Sequence, residues 1–215
     1  MPELNDALVY SGVRFIANPG CYPTVSALAF APILQAGLVD TQRLIIDAKS
    51  GVSGAGRSRV TVDYLFTELD ENFKAYAVDK HRHTPEIEQT LSGVAGRPVC
   101  VRFTPHLVPM MRGILATLYA LLTEATTPAA LHALYNDFYA SQPFVQVRPL
   151  GSYPATREVY GSNRCDIGLT VDTRTQTVVI VGAPVKGAAG QAIQNLNLLM
   201  SWEHTLGLPI AGIAP

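Results

Sequence analysis

The 215 residues carry 16 Lys plus Arg against 17 Asp plus Glu, a formal net charge of -1 at pH 7, with 48% hydrophobic and 15% charged residues. That balance excludes a disordered chain and a broadly nucleic-acid-binding one, and a chain of this length buries roughly 70% of the surface it exposes when extended. No apolar run reaches the ~18 residues a bilayer span needs, no signal-peptide pattern opens the chain, and three dispersed cysteines (Cys21, Cys100 and Cys165) suit neither a disulfide framework nor a zinc site.

In chain order, Arg14-Phe15-Ile16-Ala17 reads as a short strand, and Asn18-Pro19-Gly20 turns the chain. Thr24 to Gln35 has helical periodicity and Gly37 is a plausible stop. Leu44-Ile45-Ile46 reads as a buried strand, and Lys49 to Arg57 as a Gly/Ser-rich loop. Ala75 to Val78 is a strand, followed by a helix opening at Pro85 with Thr84 as its N-cap. Val99–Phe103 and Gly113–Leu122 are strands. Thr127-Pro128 starts a helix that runs to about Tyr139. Phe144–Val147, Ile167–Val171 and Thr177–Val181 are strands, and Ala189 to about His204 is a last helix. Strands adjacent in sequence without intervening helices predict an α+β domain with a mixed, largely antiparallel sheet and helices on one face. The βαβ alternation and GxGxxG loop of a dinucleotide domain are missing from this sequence.

Cys21 sits where an extended segment enters a helix. Backbone N–H groups there favour a thiolate and can hold an oxyanion, and Gly20 clears space beside the sulfur. A buried structural cysteine is the competing reading; Cys100 and Cys165 are assigned that role. A thiol nucleophile needs a base, and His81-Arg82-His83-Thr84-Pro85-Glu86 supplies two candidates, His81 and His83. The helix dipole keeps His83 neutral and able to accept a proton. With no further ligand cluster, a metal is not expected. Arg57, Arg59, Arg112 and Arg164 are candidates for anion recognition, Arg57 through its glycine-rich loop and Arg112 by preceding an apolar strand.

The segments Asn18 to Thr24, Ser50 to Arg57, His81 to Ile87, Pro105 to Gly113 and Lys186 to Asn197, in that order, resemble the N-acetyl-gamma-glutamyl-phosphate reductase family of arginine biosynthesis. Pro2-Glu3-Leu4 looks like that family's segment upstream of the cysteine. The resemblance implies a glyceraldehyde-3-phosphate dehydrogenase-like catalytic domain and reduction of an acyl phosphate by NADPH through a cysteine thioester. It implies Cys21 as nucleophile and His83 as acid/base with His81 second. Ser50, Arg57, Glu86 and Arg112 are then expected on the small acyl phosphate substrate, and Gly187, Gly190 and Asn195 on NADP. Val25 departs from the family, where a smaller residue is expected.

The family's Rossmann domain is absent from this sequence, so residues 1–215 are expected to be the catalytic and dimerisation domain, with NADP binding weak or missing. The helix over 189–205 would pack its Ile193, Leu196 and Met200 face on that domain. A homo-oligomer, dimer or tetramer, is expected, in a reducing cytoplasm, without nucleic acid or membrane partners. Two readings compete: an aspartate-semialdehyde dehydrogenase relative, and a non-catalytic oligomerisation module.

Overall fold

The computed structural model describes residues 1–5, 12–56 and 61–213. After a 3₁₀ turn over Pro2–Leu4, the first regular element is helix α1, Cys21–Gln35, in which every residue from Tyr22 to Leu34 is buried. A helix that is apolar all round must be covered all round. It lies against the sheet with further helices on its other sides. Strand β1 (Leu44–Ser50) follows, then two 3₁₀ turns (Val52–Ala55 and Val62–Tyr64), a one-turn helix α2 (Phe66–Leu69) and a two-residue strand β2 (Lys74–Ala75). Helix α3 (Thr84–Ala95) leads to β3 (Val101–Leu107) and β4 (Ile114–Leu121). The chain closes with α4 (Pro128–Tyr139), β5 (Val145–Val147), α5 (Thr156–Val159), β6 (Cys165–Asp172), β7 (Thr177–Pro184) and α6 (Ala188–Leu199).

The strands form one seven-stranded sheet in the order β2-β3-β1-β4-β7-β6-β5. Only the β1–β3 and β5–β6 pairs are parallel; the other four are antiparallel. This is the α+β architecture expected from strands that neighbour one another in sequence. Alternation decides the two faces. Leu44, Ile46 and Ala48 of β1, with Ile114, Ala116, Leu118 and Ala120 of β4, are buried beneath α1, α3 and α4. The opposite face keeps Ile45, Asp47, Lys49, Thr117 and Tyr119 partly or fully accessible.

Several local expectations are corrected. Arg14 to Ala17 forms no strand: Phe15 is 92% exposed, and without a partner strand a segment has no ladder to join. α1 begins at Cys21 rather than Thr24, because Pro23 costs nothing in a first turn whose N–H groups are unpaired anyway. The second strand ends at Ala75, just before Ala77 takes a positive φ of 45°. The cap of α3 is His83, and Thr84 is already helical. α6 stops at Leu199 in a Schellman motif: Ser201 has φ 55°, Trp202 N–H donates to the Asn197 carbonyl and Ser201 N–H to that of Leu198. Thr127 caps α4 as expected, its side chain accepting from Ala130 N–H at 3.1 Å. The bulk of Val25 is met at Gly182 of β7, where a Cβ would lie 2.7 Å from a Val25 methyl.

Pro32 inside α1 cannot donate to the Leu28 carbonyl. That carbonyl instead accepts the Tyr139 hydroxyl, and the Ala29 carbonyl accepts the Tyr135 hydroxyl, each at 2.5 Å and fully buried. Two tyrosines of α4 thus complete the polar accounting of the helix that carries Cys21. Tyr139→Phe, which strips a donor from a buried carbonyl, is expected to lower the unfolding free energy by about 1–3 kcal/mol. Urea denaturation followed by circular dichroism checks this; an unchanged midpoint would contradict it.

Candidate active site

Cys21 is the first residue of α1, behind Gly20 as an N-cap in extended conformation with no side-chain cap. The turn before it is held from α3: Gly20 N–H donates to Glu86 Oε1 at 2.7 Å. A Cβ on Gly20 would sit 2.6 Å from His83 Nε2, so the missing side chain is what lets the imidazole seat against the cysteine's turn. Thr24 Oγ donates back to the Gly20 carbonyl at 2.9 Å and closes the first turn.

Burial decides the protonation of this centre. It pushes the Cys21 thiol above its ordinary value, against the backbone N–H groups of Tyr22 and Cys21 and the charge of Arg82, which pull it down. The helix N-terminus was expected to lower this pKa; desolvation outweighs it, because a thiolate loses more water than a few N–H dipoles replace. His83 is lowered, first by burial and then by Arg82, with Glu86 opposing; His83 Nε2 lies 4.0 Å from Glu86 Oε2. His81 is pushed down to about 4, first by burial, then by His83 and Arg82. Both imidazoles are neutral at pH 7. His81 Nδ1 accepts the backbone N–H of His83 at 3.1 Å, so its unprotonated nitrogen is already engaged. The two rings pack edge-on at 4.9 Å, in a box with Tyr22, Tyr76 and Phe103 in which the Tyr22 and Tyr76 hydroxyls are 2.9 Å apart.

Two clefts meet at Cys21 and share Ser50, Gly51 and Gly54. The first is lined by His81, His83, Tyr76, Tyr64 and Arg82. The second is lined by Arg112, Gly113, Lys186 and Gly187. The turn between them is stitched to the chain before β4: Gly51 N–H donates to Gly113, Val52 to Met110 and Ser53 to Met111, at 3.0, 3.1 and 3.1 Å. That stitching sets Arg112 beside Ser50.

Cys21, His81, His83, Ser50, Arg112 and Gly187 are therefore brought together as the sequence suggests. Arg57 and Arg59 lie outside the described residues. Glu86 lines neither cleft; its carboxylate holds the Gly20 turn from behind. Gly190 lies against Asn163, whose Oδ1 would be 2.0 Å from a Cβ there, and Asn195 Nδ2 donates to Asn18 Oδ1 at 2.6 Å. Arg164 is no anion site: it forks onto fully buried Asp166, with Nε to Oδ1 at 2.9 Å. Cys165 is fully buried, as a structural cysteine should be, but Cys100 is exposed, lying just before β3 rather than inside it.

The sequence reading passed over Arg82, Tyr76 and Lys186. Arg82 stands between the two singled-out histidines, so only its lack of periodic context hid it. Lys186 is buried at the end of β7, held by Glu3 and Gln194. Nothing in a lone lysine after a strand signals a partner 183 residues away.

The model for the semialdehyde dehydrogenase dimerisation domain matches residues 21–184. The chain belongs to the semialdehyde dehydrogenase family. A relative from Symbiobacterium thermophilum named N-acetyl-gamma-glutamyl-phosphate reductase is 56% identical over 98% of this chain and 64% of its own length. One of the same name from Staphylococcus aureus is 52% identical over 95% of this chain and 60% of its own. The chain thus spans about three-fifths of the length of these curated relatives. Among solved structures, aspartate semialdehyde dehydrogenase II from Vibrio cholerae superposes with a TM-score of 0.72 at 17% identity, over 93% of this chain and 67% of that one. Aspartate semialdehyde dehydrogenase with NADP from Candida albicans gives 0.60 at 14% identity, over 86% and 57%. At such identities the likeness is one of fold. It agrees with the expected catalytic-domain architecture of a mixed sheet with helices.

Exposure and the direction of the thiol shift reverse the simplest expectation about reactivity. Limiting iodoacetamide at pH 7 should label Cys100 first and leave Cys165 untouched. Cys21 labelling should climb as pH rises past the ordinary thiol range, because its raised pKa holds it protonated below that. Mass mapping across pH checks the order; Cys21 labelled first at pH 7 would contradict it.

Proposed function

We propose that this chain is the thiol-bearing part of an NADPH-dependent acyl phosphate reductase that converts N-acetyl-γ-glutamyl phosphate to N-acetylglutamate 5-semialdehyde and phosphate. The names of the relatives at 52–56% identity support this reading. The observation that carries it is the meeting of Cys21 with a neutral, half-desolvated His83 across Gly20, where two clefts join.

His83 Nε2 takes the thiol proton as the sulfur attacks the acyl carbonyl. The S–C bond forms and the carbonyl oxygen becomes an oxyanion facing the N–H groups of α1's first turn. The C–O bond to phosphate then breaks, and phosphate leaves with the electron pair. A thiol with a raised pKa needs such a base at neutral pH, and general-base assistance is worth about 10²–10⁴-fold. His83 is preferred to His81 because the acceptor nitrogen of His81 already holds a backbone N–H. Glu86 across 4.0 Å stabilises the imidazolium that results. NADPH, when bound, supplies the hydride that takes the thioester to the aldehyde. The second cleft fits the reacting end of such a dinucleotide: Gly187 offers no Cβ there and caps α6 without a side-chain hydrogen bond, leaving that helix's first N–H groups available. The oxyanion left at the reduced carbon collapses to the aldehyde, the C–S bond breaks, and the proton held on His83 returns to the Cys21 sulfur.

In this reading the adenosine and phosphates of the cofactor are held outside these 215 residues, which is consistent with the greater length of the relatives. Ile193, Leu196 and Met200 on α6, between 41% and 52% exposed, are where the nucleotide-binding part docks. The open sheet face around Thr117 and Tyr119 packs on a second copy in a homo-oligomer. No helix among the described residues is long and apolar enough to cross a membrane, and a cytoplasmic location belongs to the same proposal.

Acyl phosphate should leave an adduct on Cys21 visible by intact mass. Cys21→Ser abolishes the thioester, and His83→Ala slows its formation about 10²–10⁴-fold, while His81→Ala has a smaller effect. The rate should be nearly independent of pH through neutrality, where thiol and imidazole both keep their neutral forms, and should fall on acidification below the ordinary imidazole range as His83 takes up a proton. A larger loss from His81→Ala than from His83→Ala would move the base. Light scattering should give at least twice the 23.1 kDa chain mass, and Thr117→Arg in the open face should return it to monomer.

A further inference from the structure

Two clefts meet at Cys21, and each presents one arginine with no acidic partner among the described residues: Arg82 on the histidine side and Arg112 on the other. Both side chains are exposed at the cleft rims. Lys186, also in the second cleft, is matched by Glu3. The acyl phosphate proposed as substrate carries two anions, a phosphate on the reacting carbonyl and a carboxylate at the far end of its carbon chain. Seating that carbonyl on Cys21 sends the two anions in opposite directions.

We propose that Arg82 binds the α-carboxylate of the substrate and so selects amino-acid-derived acyl phosphates, while Arg112 receives the phosphate. This rests on the reading of the protein as an acyl phosphate reductase and adds the residue that sets its specificity. The second cleft sets Arg112 near Ser50 with the Lys186 ammonium in its wall, the denser positive charge of the two, which suits a phosphate. The first offers a single guanidinium fork among neutral imidazoles and phenols, which suits a carboxylate monoanion. Placing Arg82 between His81 and His83 fixes its backbone by the same bond that joins them, His83 N–H to His81 Nδ1. Its charge already acts at this centre, where it lowers the pKa of Cys21, His81 and His83. Loss of Arg82 therefore slows acylation of any substrate, and the readout that isolates recognition is a ratio.

The test compares acylation of Cys21 by N-acetyl-γ-glutamyl phosphate and by its α-carboxamide analogue, followed by intact mass, in wild type, Arg82→Met and Arg112→Met. Wild type should prefer the carboxylate by about 10- to 100-fold, the worth of a charged hydrogen-bonded pair. Arg82→Met should bring the ratio close to one, and Arg112→Met should lower both rates and keep the ratio. A wild type without preference, or a preference removed by Arg112→Met but not by Arg82→Met, overturns the proposal and leaves the reductase reading intact. Calorimetric binding of N-acetylglutamate against its α-amide, in the same three proteins, needs no chemistry. If no acylation is seen in wild type the reductase reading fails, and binding that prefers the carboxylate only when Arg82 is present still supports the assignment; absent or Arg82-independent preference refutes it.

Discussion

The complete burial of α1 is the constraint on which the site depends. A helix wrapped from Tyr22 to Leu34 has no freedom to slide or fray at its first turn, so Cys21 is fixed by the core rather than by a loop. That arrangement needs every polar group of the helix satisfied in place, since an unpaired buried carbonyl costs as much as a lost hydrogen bond. The carbonyl that Pro32 leaves open, that of Leu28, is answered by the Tyr139 hydroxyl from α4. Packing along the helix and placement of Cys21 are thus one structural problem. Gly182 beneath Val25 shows how closely the helix approaches the sheet.

Burial also writes the electrostatics. Around Cys21 it favours the neutral forms of the thiol, both imidazoles and the Tyr22–Tyr76 pair. In the proposed reaction, a neutral thiol and a neutral imidazole lining one cleft exchange a proton when a carbonyl arrives. Glu86 makes that exchange asymmetric. One oxygen fixes the Gly20 turn, and the other stands 4.0 Å from the ring nitrogen that would gain the charge. One carboxylate therefore positions the Cys21 turn and favours a protonated His83.

The same economy appears at Lys186. A buried ammonium is tolerable only with its charge met and its donors satisfied. Glu3 and Gln194 do this from opposite ends of the chain. The ion pair ties the first turn of the chain to the end of β7 and the body of α6, and in doing so holds one wall of the second cleft. Gln194 Nε2 also donates to Glu3 at 3.1 Å, so the three side chains form a closed set rather than a simple pair.

The amino-acid sequence by itself determined the elements with local causes: the strands of alternating burial, the Thr127-Pro128 helix start, and the α+β class that follows from strands in succession. It also marked Cys21, His81 and His83, since a glycine-flanked cysteine at a helix start and paired histidines at another are readable in a few residues. Tertiary structure alone decided the rest. The strand expected at Arg14 to Ala17 lacks a partner, which no local pattern reveals. The pKa of Cys21 moved against its helix dipole because desolvation depends on everything packed around it. Which glutamate touches Gly20, which lysine meets Glu3 and which arginine faces which cleft are contacts between residues 66 to 183 positions apart or across separate loops. Such pairings are set by how the helices and strands stack, because side-chain chemistry names the possible partners and only packing brings two of them within reach.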